Sequence, residues 1–152
     1  MTIDDVINDL AVLLEAVEVA PLSGAVIERY WRRKAPEGLT VYLIPHNSNV
    51  TEITIGNAQG GALPMGPSLS NDEFVVDAVI EIPWHDDAAD GTKVILAGDQ
   101  LRSVVENNRS LNCGAKRGTV KAGVIDAVTR PFAQDKTYVG QAFVRTLHYH
   151  SR

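Results

Sequence analysis

The stretch Gln100–Val128, QLRSVVENNRSLNCGAKRGTVKAGVIDAV, decides how the chain is laid out. Leu101, Val104, Val105 and Asn108 fall at the i, i+3, i+4, i+7 spacing of one helix face. Asn107 and Asn108 suit a left-handed helix exit, after which Leu111 can fold back on the last turn. From Thr119 the period changes. Val120, Ala122, Val124 and Val128 share one side of a strand running to Val128. A helix, a tight exit and a strand in so short a span point to helices packed on a sheet.

Upstream, the helix pattern reaches back through Ala97 and Val94 to Lys93. Gly98 costs about 1 kcal/mol against alanine in a helix, so a start at Asp99, a good N-cap, is the alternative. Trp84–Asp90 is acidic and reads as a solvated turn or charged surface. Before it, Glu73–Ile82 has the cleanest alternation in the chain. Phe74, Val76, Ala78, Ile80 and Ile82 point one way, and Glu73, Asp77 and Glu81 the other. One face of that strand belongs in a core and the other in water or a polar interface.

Gly56–Asp72, GNAQGGALPMGPSLSND, has no period and is rich in glycine and proline. No Gly-Lys-Ser/Thr follows its glycines, so it is not a phosphate loop. A loop this long in a compact domain is usually functional or disordered. It reads either as the tip of a hairpin arm, with Leu63, Met65 and Leu69 as partner contacts, or as a crossover whose apolar residues return to the core.

Nearer the N-terminus, Ile3–Val17 is a helix with Ile3, Val6, Ile7, Leu10, Leu13, Leu14 and Val17 on one stripe. Thr2 is its N-cap, and Asp4 and Asp5 sit at the positive end of its dipole. Strands are expected at Ala25–Arg32, at Leu39–Ile44 (apolar on both faces, hence mid-sheet, and ended by Pro45) and at Val50–Ile55. At the other end, Ala133–Lys136 is a polar turn and Tyr138–Tyr149 the last strand. The expected fold is α+β, one domain over 1–152: a mixed, mainly antiparallel β-sheet, two α-helices packed against it, and a long Gly/Pro-rich loop.

Composition narrows the function. The net charge is −5, which disfavours a nucleic-acid binder that must neutralise phosphates. No run has the length and apolarity of a membrane span, and the acidic, amphipathic start does not resemble a signal peptide. Cys113 is the single cysteine, so no intrachain disulfide forms.

There is no G-x-S-x-G elbow and no H-E-x-x-H, and His85 beside Asp86 has no nucleophile motif to serve. His148 and His150, two apart on a strand, could face one metal ion, with a third ligand from His46, His85, Asp86 or Asp87. Nothing fixes that geometry, so neither a metal, a cofactor nor a catalytic residue is expected. Arg102, Arg109, Lys116 and Arg117 form a modest basic cluster. It suits either salt bridging with Glu106 and the helix dipole, or an acidic neighbouring subunit.

Two motifs carry a resemblance: Asn108-x-x-Leu111-x-x-Gly114 after the helix, and Tyr138-x-Gly140-x-x-Phe143-x-x-x-Leu147-x-Tyr149 at the end. From Phe74 onward the chain resembles the tail terminator proteins of long-tailed phages. It departs from them where Asn112-Cys113 stands in place of a tighter Leu-Gly turn. The resemblance implies an α/β domain without catalytic residues, assembled as a homo-oligomeric, hexameric ring. Such a ring ends tail-tube polymerisation and joins the tail to the connector at the head–tail junction of the virion, after assembly in the host cytoplasm. Its partners would be the tail tube protein and the connector or stopper protein, with DNA only passing through the lumen and no membrane. Glu73, Asp77, Glu81, Arg102 and Arg109 are then candidate ring contacts, beside Leu63, Met65 and Leu69. The alternatives are a stopper-type neck protein, a small metal-dependent enzyme built on His148 and His150, or a binding module whose Gly56–Asp72 loop closes over a small ligand.

Overall fold

The computed structural model describes residues 2–30, 35–53, 69–108, 110–113, 116–126, 132–134 and 137–151, with side chains placed for 2–30, 35–46, 73–108, 110–111 and 139–148. Helix α1 spans Ile3–Glu15 and helix α2 spans Asp87–Asn107; the strands are β1 Val26–Arg29, β2 Thr40–Ile53, β3 Leu69–Pro83, β4 Ser110–Cys113, β5 Lys116–Asp126, β6 Phe132–Gln134 and β7 Thr137–Ser151. Among the described residues they form one sheet in the order β1-β2-β3-β7-β5-β4, with β6 paired to β7. The β1–β2 pair is parallel and every other pair antiparallel. This is the expected α+β fold, a mixed and mostly antiparallel sheet with two helices.

Helix α1 begins where Thr2 caps it: the Thr2 hydroxyl accepts from the Asp5 amide and the Asp5 carboxylate accepts from the Thr2 amide. Its stripe of Val6, Ile7, Leu10 and Leu14 is buried, with Ala11 beside them. Both helices pack on one face of the sheet, against Val41 and Leu43 of β2, the even-numbered residues Phe74 to Ile82 of β3, and Ala142 and Val144 of β7. Helix α1 touches both β1 and β4, the two edge strands of the order above, so the sheet curls round the helix pair. Leu111 of β4 joins the same core.

Several boundaries differ from the sequence expectation. Helix α2 starts a turn and a half before Lys93, because Asp86 caps it: its Oδ1 accepts from the amides of Ala88 and Ala89. The Trp84–Asp90 segment is therefore mostly helix start. Asn108 closes α2 at φ −120°, outside the left-handed region, and its side-chain amide donates to the Val104 carbonyl. The exit continues as strand β4, which pairs with β5. The expected polar turn at Ala133–Lys136 contains the end of strand β6.

Strand β2 runs through Pro45 to Ile53. Pairing shifts between Pro45 and Asn47, which makes His46 a bulge. Strand β1 pairs with β2 only as far as Leu43, so Pro45 interrupts no ladder on that side. Of the expected Gly56–Asp72 loop, Leu69–Asp72 belong to β3 and pair with Val50–Ile53, and the rest lies outside the described residues. Strand β1 stops at Arg29, where Tyr30 takes φ 70°, a conformation rare for a bulky side chain. The Tyr30 hydroxyl donates to the Asp4 carboxylate, and Arg29 reaches Asn8 and Glu15, so α1 is tied to this edge.

Candidate functional site

The sheet has a second face, turned away from the helices. Register places Val26 and Glu28 of β1, Thr40, Tyr42 and Ile44 of β2, Val75, Asp77, Val79 and Glu81 of β3, and Gln141, Phe143, Arg145 and Leu147 of β7 on it. Alternation along β3 decides this directly: the even positions fill the helix-side core, so the odd ones must face the other way.

At its centre lies a trio of polar side chains. Arg145 donates from Nε to Asp77 Oδ1 at 2.8 Å, and His46 Nδ1 lies 2.8 Å from Asp77 Oδ2. Arg145 stands opposite Asp77 in the β3–β7 register, so sheet pairing alone brings them together. His46 arrives by the bulge, which turns its ring toward Asp77. The Asp77 side chain is 20% exposed and Arg145 50% exposed, with half-buried Ile44, Phe143 and Leu147 around them. An arginine paired with a carboxylate and ringed by apolar side chains is chemistry suited to a protein interface.

Glu81 sits toward the Pro83 end and is 2% exposed. Burial pushes its carboxyl above the usual range, and the hydrogen bond from Gln141 Nε2 at 2.5 Å pulls it partly back. Beside it, the turn at Pro36 and Glu37 folds against Val26, Glu28, Thr40 and Tyr42 around a cavity of about 120 Å³.

The candidate contacts therefore divide. Glu73 and Asp77 are half-buried on the helix-free face, whereas Glu81 is buried and makes no surface contact within the single chain. Arg102 is exposed on α2 and binds Glu106 one turn on at 3.0 Å, as salt bridging predicts. Leu69 lies in β3, its side chain outside the described residues, as are Leu63, Met65 and Arg109 altogether. Sequence reasoning missed Arg145 and named His46 only as a possible third metal ligand. The Asp77–Arg145 pair was findable by aligning the two long strands, but the bulge that brings His46 was not.

The two-histidine metal idea meets the geometry at His148. That side chain is 1% exposed on the helix side of β7, with Nε2 2.6 Å from the Thr146 hydroxyl. His46 lies on the opposite face of the sheet, so the two cannot share an ion. Among the described residues no group of three or more His, Cys, Asp or Glu side chains could hold a metal, and no helix is long and apolar enough to cross a membrane. Compared with the models of known protein families the chain matches none, and no curated protein matches it.

Proposed function

We propose that this chain is a virion structural protein of a long-tailed phage, forming a ring at the head-proximal end of the tail tube. There it ends tube polymerisation and joins the tail to the capsid connector. The observation that carries the reading is the β2–β3 hairpin. Its pairing runs out to Ile53 and Leu69, so residues 54–68 join adjacent antiparallel strands at one end of the sheet. Fifteen residues of sequence between those two strand ends support a contact with a neighbouring subunit.

The helix-free face adds to this, since an Asp–Arg pair among half-buried apolar side chains suits a subunit contact. The net charge of −5 suits a channel through which DNA slides without being held. The role requires no cofactor and no catalytic group, only partners: further copies of the chain, the tail tube protein and the connector or stopper.

Immunogold electron microscopy of purified virions, with an antibody to this chain, tests the reading. Gold at the head–tail junction supports it. Tubes of uncontrolled length after loss of the chain then distinguish a terminator from a stopper, whose loss leaves tail length normal. Particles without label, when disrupted virions also fail to bind the antibody, overturn it.

A further inference from the structure

Strands β3 and β7 are flanked on both sides, but β2 and β5 are flanked along only part of their outer edges. Strand β1 lies along β2 from Thr40 to Leu43, while β2 runs on to Ile53. Across the sheet, β4 lies along β5 from Lys116 to Thr119, while β5 runs on to Asp126. Among the described residues nothing pairs with the outer edge of Asn47–Ile53 or of Val120–Asp126.

The backbone bonds say what the β2 edge presents. The Val26 and Tyr30 amides donate to the Leu39 and Leu43 carbonyls at 2.9 Å, so at the start of β2 the odd positions aim their backbone at β1 and the even ones at β3. The bulge at His46 shifts this by one residue. Beyond it the odd positions of β2 pair with the odd positions of β3, and Ser48, Val50 and Glu52 turn their amides and carbonyls outward. An open run of this kind is a template for another strand.

The two open stretches fit each other. Each is seven residues long, bounded on β2 by the bulge and on β5 by β4. Three antiparallel pairings separate β2 from β5, so the two strands run in opposite directions. The β2 strand of a neighbour in the same orientation therefore lies antiparallel to β5 and continues the alternation of the sheet. Matched end to end, Asn47 with Asp126 and Ile53 with Val120, the stretches put Glu52 opposite Lys121, a pairing of opposite charge.

We propose that copies of this chain join edge to edge, the Asn47–Ile53 stretch of one copy adding to the Val120–Asp126 stretch of the next, so that one sheet continues from copy to copy. Main-chain hydrogen bonds would hold the contact, and the Glu52–Lys121 pair would set its register. A two-fold pairing of β2 with β2 would leave β5 bare. A head-to-tail contact covers both edges in every copy and repeats until a ring closes. The inference rests on the ring-forming reading above and names the strands that meet.

Hydrogen exchange read by mass spectrometry on the full chain, over a dilution series followed by light scattering, tests it. Protection should rise in both stretches as the oligomer forms. Glu52→Lys and Lys121→Glu should each weaken association several-fold without lowering the melting temperature, and the two combined in one chain should restore it.

Both stretches already protected in the dilute monomer would show that the chain covers its own edges, and would overturn the proposal. So would protection that rises in one stretch alone, an oligomer that protects neither, or a double variant no better than the singles. A chain monomeric at every concentration would do the same. Gold at the head–tail junction combined with any of these results would sink this contact and leave the ring reading standing. Concentration-dependent protection of both stretches without virion label would do the reverse.

Discussion

Acid should unfold this protein through His148, and the structure gives the size of the effect. The Thr146 hydroxyl donates to the Val76 carbonyl at 3.0 Å, so toward His148 it can only accept. Nε2 therefore carries the proton, and the Nδ1 lone pair is left buried without a partner. Burial lowers the His148 pKa from 6.5 to about 4. In the window between those values the unfolded chain binds the proton and the folded chain does not, so stability is intact above the upper value and falls as pH drops toward the lower. At 1.36 kcal/mol per unit, the full loss is about 3.4 kcal/mol, of which about 2 kcal/mol is already gone at pH 5. That is a large share of the roughly 5–15 kcal/mol that holds a domain together. Urea unfolding of the native chain and of His148→Phe at pH 7.5 and pH 5 isolates the contribution, since carboxylates titrate alike in both. The native chain should lose about 2 kcal/mol more than the variant between the two conditions. Equal losses would show that His148 is not buried neutral, and the argument would fail.

Gly140→Ala should destabilise by about 1–3 kcal/mol or more, because a methyl there falls inside the ring of Trp84 at Cε3 and Cζ3. Thermal melts should show the loss, and making Trp84→Leu first should remove most of it; an unchanged melt in the single variant would mean the ring does not lie over Gly140. Glu81→Gln should stabilise at pH 7.5 and have no effect well below pH 4.5, the ordinary value above which burial raises this carboxyl, since the folded acid is then protonated anyway. A variant less stable than the native chain at pH 7.5 in urea would refute that. Asp86→Ala removes the acceptor for two α2 amides and should cost about 1 kcal/mol, read by the same urea titration. Asp77→Ala should cost no more than about 1 kcal/mol, because the Asp77–Arg145 pair is partly solvated, while lowering assembly measured by light scattering. Collapse of the fold would show the trio to be structural.

Legibility followed the length of the pattern. Helix α1 and strand β3 were readable because each repeats an apolar position often enough for the period to show, and Thr2 and Asp5 mark the helix start. The first turn of α2 was not readable. Asp86, Asp87 and Asp90 carry no apolar period, and aspartates at a helix start look the same as aspartates in a loop. Asp90 accepts from the backbone amides of Asp86 and His85, which hold its carboxyl below the usual range, and those bonds exist only once the turn has formed. Strands β4 and β6 are too short for any period. In the outer half of the β2–β3 hairpin, Val50–Ile53 reads as a strand from its own sequence, but its partner Leu69–Asp72 ends a Gly/Pro-rich stretch and reads as loop, although the pairing runs through it.

The candidate site shows a different limit. Alternation in β3 assigns Glu73, Asp77 and Glu81 to one face correctly, yet it says nothing about depth along that face. Depth is set by what stands across the ladder, and those residues lie far along the chain. Glu81 meets Gln141 and is buried. Asp77 meets Arg145 on one side and the bulged His46 on the other, and stays at the surface. A carboxylate that is shielded and held by a neutral amide loses its use as a contact, since ionising it works against burial. A carboxylate that orients an exposed guanidinium does the opposite, because it fixes the arginine in place for a partner at little cost in side-chain entropy. Three acidic residues that are equivalent by spacing are thus sorted into a buried acid at Glu81, a half-buried residue at Glu73 and, at Asp77, the partner of Arg145 and His46.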